Sequence, residues 1–328
     1  MAISPELGTP EEAPAEPGSD RVAGEPAPIA SLDVIKTYRY LRIGMIGAVV
    51  LLAVSILIEH SKVDCWQSSI SAYYYTPVRA IFVGSLMAVG LSLIVYKGRS
   101  PGEDPFLNFA GMLAPVVAIV PTTDVGTCWS VPPEARPVRA DGSLAGWVVA
   151  NIDNNFYALL ITGAIGLAVT ALIVLLVNRR DVARAAKGQR WMTLSLIGTG
   201  IALLVAWWLS RNWSDFYTSA HRYAAVAMFV MLIGAIVCVA LDTRDRGTAW
   251  WLCDAALAAL MVAGGLVIGL TRMFGDHTVF ALETYEITLF AVYWGIQTAE
   301  KWNERVRAST VSATVAPAAH GEPSGLIP

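Results

Sequence analysis

The chain has 328 residues, of which 55% are hydrophobic and 15% are charged, and its mean hydropathy is +0.54. Soluble domains carry roughly 25% charged residues, so this composition excludes an ordinary soluble globular protein and indicates lipid as the solvent. The formal net charge is -3, and much of the acid lies in the N-terminal stretch; we expect no nucleic-acid partner.

The two ends of the chain are predicted to be disordered tails. Residues 1–37 are rich in Pro, Ala, Gly and acid, with no apolar run, which is typical of a solvated segment. No basic region precedes an apolar core there, so we do not expect this stretch to be a signal peptide. Residues 303–328 are similarly biased. The membrane domain is therefore predicted to span residues 38–302.

Eight apolar stretches follow one another in this domain. A bilayer core about 30 Å thick needs roughly 20 apolar residues per helix. The sequence predicts an all-α polytopic bundle with eight transmembrane helices. They are Leu41–Ile58, Val78–Tyr96, Phe106–Thr123, Phe156–Val177, Met192–Leu209, Tyr223–Leu241, Trp250–Leu270 and Val279–Ile296.

Basic residues in the connections predict the orientation. With eight crossings and a cytoplasmic N-terminus, sixteen of the 23 Lys and Arg residues lie inside and seven lie outside. Cytoplasmic loops carry the excess of positive charge, so we expect both termini in the cytoplasm of a bacterial cell, with the protein in its plasma membrane. The third stretch is the weakest, but removing it would place Arg179–Arg190 on the side opposite Lys36, Arg39 and Arg42.

Ionisable and hydroxyl groups gather at the predicted outer ends of the helices. Glu283 and Glu286 lie one to two turns inside the last helix and share a face, where a charged side chain costs about 2.5–3.5 kcal/mol. We expect an outward-facing polar pocket and predict that Arg79 pairs with one of these glutamates, with Arg222 and Arg272 as rival partners. The alternative is an interfacial aromatic belt with Arg79 reaching the headgroups. The pocket candidates are Glu283, Glu286, Arg79, Ser69, Ser71, Tyr73, Asp124 and Arg222.

Two further sites are candidates on residue type. His60, His221 and His277 would be the ligands of a zinc site if they converged, although no metal-binding spacing motif is present; interfacial hydrogen bonding is the alternative. Cys65 and Cys128 lie in the first two outer loops, so an oxidising exterior permits a disulfide between them.

Two blocks carry a family resemblance. SISAYYYTPVRAIFVG (Ser69–Gly84) and ALETYEITLFAVYWGIQTAEKW (Ala281–Trp302) resemble a family of uncharacterised bacterial multi-pass membrane proteins, which has no established activity. The chain is also, more faintly, similar to the ceramidase and progestin-receptor-like superfamily of membrane hydrolases. That resemblance implies a zinc site involving Ser69, Ser71, Asp124 and the outer histidines. The superfamily's paired histidines are replaced in the last helix by Glu283 and Glu286.

Three functions remain open from the sequence. The first is a membrane protein whose outward polar pocket binds or passes a small solute, a cation or a lipid headgroup. The second is a metal-dependent hydrolase acting on a lipid. The third is a structural or assembly subunit whose polar groups only satisfy one another.

Overall fold

The computed structural model describes residues 28–98, 102–126, 128, 131–178, 186–245 and 250–301. Within them the chain is all-helical, and the only extended pairing is an isolated bridge between Val138 and Leu144. The α-helices of this part of the chain are α1 (Pro28–Val63), α2 (Arg79–Val95), α3 (Glu103–Ile119), α4 (Gly146–Asn178), α5 (Ala186–Asn212), α6 (Phe216–Asp245), α7 (Trp250–Thr271) and α8 (Thr278–Lys301).

Each predicted apolar stretch overlaps one of these helices. Six of them, α1 and α4 to α8, are long and apolar enough to cross a membrane, whereas α2 and α3 have 17 residues each. The protein is therefore a multi-pass helical membrane protein. α1 begins at Pro28, before the predicted domain start at residue 38, and proline is common at the first position of a helix. Predicted tail residues 1–27 and 303–328 lie outside the described residues.

The short helix α3 lies in the interior of the molecule, whereas the short helix α2 buries only one face. α3 packs mainly against α2 and α6, and α7 packs against both α6 and α8. Gly90 of α2 and Gly111 of α3 let the two backbones approach closely, since a Cβ on Gly111 would lie 2.6 Å from the Gly90 carbonyl oxygen. Asp104 closes the α2–α3 connection by accepting from the Gly98 N–H at 2.6 Å and by pairing with Lys97.

The helices α4 and α5 form a hairpin at the side of this core. In neither helix is any residue of the most apolar window buried, whereas 39% of the corresponding window of α6 is buried. Leu172 of α4 and Leu204 of α5 are among the exposed apolar side chains. We refer to α1, α2, α3, α6, α7 and α8 as the core bundle and to α4–α5 as the hairpin.

Two ends of the core bundle differ in their chemistry. The α1–α2 connection, the α3–α4 connection and the start of α8 meet at one end, which we call the disulfide end. Asp254 near the start of α7 and Gln297 near the end of α8 lie at the other, which we call the Asp254 end.

Candidate functional site

The α1–α2 connection forms a buried platform at the disulfide end. It contains a 3-10 helix, Ser71–Tyr75, whose residues are all buried. A disulfide joins Cys65 to Cys128, with the Cα atoms 5.9 Å apart, and Tyr75 donates to the Thr122 carbonyl at 2.7 Å. The connection is therefore fastened to the segment that follows α3.

The same platform holds the start of α8 and the carboxylate of Glu283. The Phe280 N–H donates to the Ser68 carbonyl at 2.9 Å. Glu283 accepts from the Ile70 N–H at 2.6 Å, and from the N–H and hydroxyl of Ser71 at 3.4 and 3.1 Å. Three donors thus converge on one carboxylate, and charge-assisted bonds of this kind are about twice as strong as neutral ones.

Glu286 lies one turn deeper and has a different environment. Its side chain is 5% exposed, and its Oε1 faces Gly265 of α7, where a Cβ would lie only 3.0 Å away. Its Oε2 is buried and has no hydrogen-bond partner among the described residues. Glu286 is therefore a buried carboxyl group that the protein itself only partly satisfies.

Two further groups at the disulfide end are buried. Glu59, at the end of α1, is 4% exposed, and Tyr73 is 1% exposed. Burial raises the pKa of the Tyr73 phenol, and the nearby Glu59 carboxylate acts in the same direction, so Tyr73 is a neutral hydroxyl. We refer to Glu59, Glu283 and Glu286, the three acids at this end of the core bundle, as the acid cluster, although the three carboxyl groups do not form a group that could hold a metal ion.

The predicted pair between Arg79 and a glutamate is wrong. The Arg79 guanidinium donates to the Tyr74 hydroxyl at 2.6 Å and stacks over that ring at 4.2 Å, with the side chain exposed. Tyr74 of the 3-10 helix thus binds the guanidinium, while the amides of Ile70 and Ser71 at the start of that helix bind Glu283. Arg222 is no substitute, because it is exposed and lies over the Tyr223 ring at 5.4 Å.

Other predicted pocket residues have local structural roles. Ser69 accepts from the Ala72 N–H at 3.0 Å within the 3-10 segment. The Asp124 carboxylate is exposed and accepts from the Gly126 N–H at 3.1 Å, which forms a local turn. Of the predicted pocket residues, Ser71 and Glu283 are in direct contact. The side chains of Arg79, Asp124 and Arg222 have other partners and do not contact Glu283.

The three candidate histidines have separate partners. His60 stacks on Trp66 at 3.8 Å, His221 Nδ1 lies 2.6 Å from the Val120 carbonyl, and His277 Nδ1 lies 3.2 Å from the Gln67 carbonyl. Among the described residues, no three His, Cys, Asp or Glu side chains form a group that could hold a metal ion. The predicted zinc ligands are thus not gathered in one place.

Sequence reasoning missed a second buried polar group at the Asp254 end. Asp254 is fully buried and accepts from Gln297 Nε2 at 3.0 Å. Arg42 is 7% exposed and donates to the Gln297 backbone carbonyl at 3.4 Å and to the Tyr96 hydroxyl at 3.2 Å. The signal was present, since Arg42 and Asp254 both fall inside predicted apolar stretches, but Arg42 was assigned to a loop.

The chain has no match among known protein-family models, curated proteins or solved structures.

Proposed function

We propose that the protein crosses a bacterial plasma membrane eight times, with both termini in the cytoplasm, and that the buried carboxyl group of Glu286 binds a small cation from the outside. The excess of basic residues in the predicted inner connections supports this orientation. It assigns the disulfide end to the oxidising exterior, where a disulfide persists.

The observation that carries the proposal is the buried, partly unsatisfied carboxyl group of Glu286, one helical turn from Glu283 on α8. Arg79, the expected counter-charge, is bonded to Tyr74 instead. A buried carboxylate without a cationic partner is costly, so such a group takes a proton or coordinates a cation. The cluster therefore favours a cation over an anionic solute.

The ligand atoms also fit this class of partner. Carboxylate, hydroxyl and carbonyl oxygens are the atoms that hard cations prefer. Ser71 and Tyr73 place neutral hydroxyls close to Glu283 and Glu59. Of the three partner classes that the sequence left open, a small cation, including the proton, matches this combination best.

Thermal unfolding of the purified full-length protein in a neutral detergent tests the proposal. The stability is measured in lithium, sodium, potassium, calcium and choline chloride at fixed ionic strength, and across a pH series. Binding to the folded state stabilises it by about 2.7 kcal/mol when the cation is at 100 times its dissociation constant. We expect one small cation, or the proton, to stabilise the wild type and to lose this effect in Glu286→Gln.

The matched control is Thr284→Val, on the same helix. Thr284 is exposed, and its hydroxyl bonds back to the Phe280 carbonyl at 2.7 Å, so this variant should keep the full cation response. The proposal fails if the wild type responds equally to every salt and at every pH. It also fails if Glu286→Gln retains the wild-type response.

A further inference from the structure

Polar side chains continue along one face of α8 beyond the acid cluster. Glu283, Glu286, Tyr293, Gln297 and Glu300 are spaced by three, seven, four and three residues, so they form one stripe along the helix. At about 1.5 Å per residue the stripe is about 26 Å long, which is close to the roughly 30 Å of a bilayer core. Phe290 occupies the remaining position on this face.

The inner half of the stripe contains buried polar atoms that the protein does not satisfy. Tyr293 is 2% exposed, and Trp294 and Gln297 are fully buried. The Tyr293 hydroxyl, Trp294 Nε1 and Gln297 Oε1 have no hydrogen-bond partner among the described residues. A buried polar atom left in this way costs about 1–3 kcal/mol, and the usual partner in a protein interior is bound water.

Glu286 lies at one end of this stretch and Asp254 at the other, and both lie at the interface between α7 and α8. Glu286 lies against Gly265 of α7, while Gln297 bonds Asp254 of α7. Gly265 and Asp254 are 11 residues apart on α7, and Glu286 and Gln297 are 11 residues apart on α8. The two contacts between these antiparallel helices are therefore about 16 Å apart. Around the Tyr293 hydroxyl between them, Glu103, Asp254 and Glu300 lie within electrostatic range.

Phe290 interrupts the polar face between Glu286 and Tyr293. Its ring is 5% exposed and lines an apolar cavity between α1, α2, α6 and α8. The Ser85 hydroxyl at this cavity is buried and without a hydrogen-bond partner among the described residues. Phe290 is therefore the apolar residue across which water must connect the two halves.

We propose that the cation bound at Glu286 is a proton and that the polar face of α8 carries it to Asp254, an inference that rests on the proposed function. The O–H bond of the Glu286 carboxyl group breaks, and a proton passes through water held by the Tyr293 hydroxyl and the Gln297 amide. An O–H bond forms on the Asp254 carboxylate, and Glu286 is left as a carboxylate that a proton from outside can neutralise again.

Proton flux into liposomes tests this inference. The full-length protein is reconstituted with a pH-sensitive dye inside, and a potassium gradient with valinomycin drives protons inward. We expect wild-type liposomes to acidify faster than protein-free ones, and Tyr293→Phe and Asp254→Asn to lower the rate at least tenfold. Phe290→Ala should raise it, because the apolar interruption is removed.

Two comparisons separate a failed pathway from a failed fold or a failed cation site. Thr288→Val, exposed on α8 and bonded to the Thr284 carbonyl, should conduct as the wild type does. Tyr293→Phe removes one oxygen and keeps the ring, so its loss of flux is not a loss of packing. The inference is overturned if wild-type flux equals that of protein-free liposomes or if Tyr293→Phe and Asp254→Asn conduct normally. If the Glu286-dependent stabilisation persists in that case, the proposed function stands.

Discussion

The core bundle and the α4–α5 hairpin are both apolar, yet they differ in how many of their side chains are buried. The core bundle buries carboxylates, hydroxyls and an arginine between helices that approach closely, whereas no residue in the most apolar windows of α4 and α5 is buried. A helix that faces lipid on most sides needs only length and hydropathy. A helix at the centre needs specific partners, and this is where a function can be located.

The largest expected difference between these regions comes from the disulfide that fastens the core bundle's connections. The bridge closes a loop with a sequence separation of 63, and in the chain-entropy model this contributes about 4 kcal/mol. The variant Cys65→Ser with Cys128→Ser should therefore unfold at a markedly lower temperature in detergent. Cys253→Ser, which removes an exposed free thiol, is the control and should leave the unfolding temperature unchanged. Equal unfolding temperatures for both variants would contradict the role of the bridge.

Glycine substitutions compare the two regions directly. Gly111→Ala places a Cβ 2.6 Å from the Gly90 carbonyl oxygen, and backbone atoms at that distance cannot yield without moving a helix. We expect a loss of about 1–3 kcal/mol in the free energy of unfolding. Gly166→Ala in the hairpin meets nothing within 4 Å and should be neutral or stabilising, since alanine favours a helix by about 1 kcal/mol. Similar effects at the two sites would show that α2 and α3 are not in close contact.

A smaller effect tests the corrected role of Arg79. Glu283→Gln weakens charge-assisted hydrogen bonds and should cost about 1–3 kcal/mol, while Arg79→Ala removes an exposed contact with Tyr74 worth about 0.5–1 kcal/mol. The double variant should lose the sum of the two, within about 0.5 kcal/mol. A coupling energy well above about 0.5 kcal/mol would show that Arg79 and Glu283 form an ion pair, which would contradict the structure.

The sequence predicted the helices better than the partners within them. Hydropathy located all eight α-helices of the described residues, because a lipid-facing surface imposes its composition on the whole stretch. The predicted orientation also placed Glu283 and Ser71 at the same end of the bundle. It could not show that the 3-10 helix would present Tyr74 to Arg79, because the direction of a side chain depends on local backbone geometry.

The Asp254 end shows a second limit of sequence reasoning. Arg42 lies close to the start of an apolar stretch, where a basic residue is equally typical of a loop. Its burial against Gln297 and Tyr96 depends on how α1, α2 and α8 pack together. Long-range packing of this kind leaves no local spacing pattern, so neither Gln297 nor Tyr96 was identified.

Infrared difference spectroscopy of the reconstituted protein tests the central claim most directly, namely that Glu286 takes its counter-charge from solution. Spectra are recorded as pH and cation are varied, and the Glu286→Gln spectra are subtracted from those of the wild type. The account predicts a Glu286-dependent carboxyl band that appears on protonation or shifts when one cation is added. A difference spectrum that stays flat through every pH and every cation would contradict it.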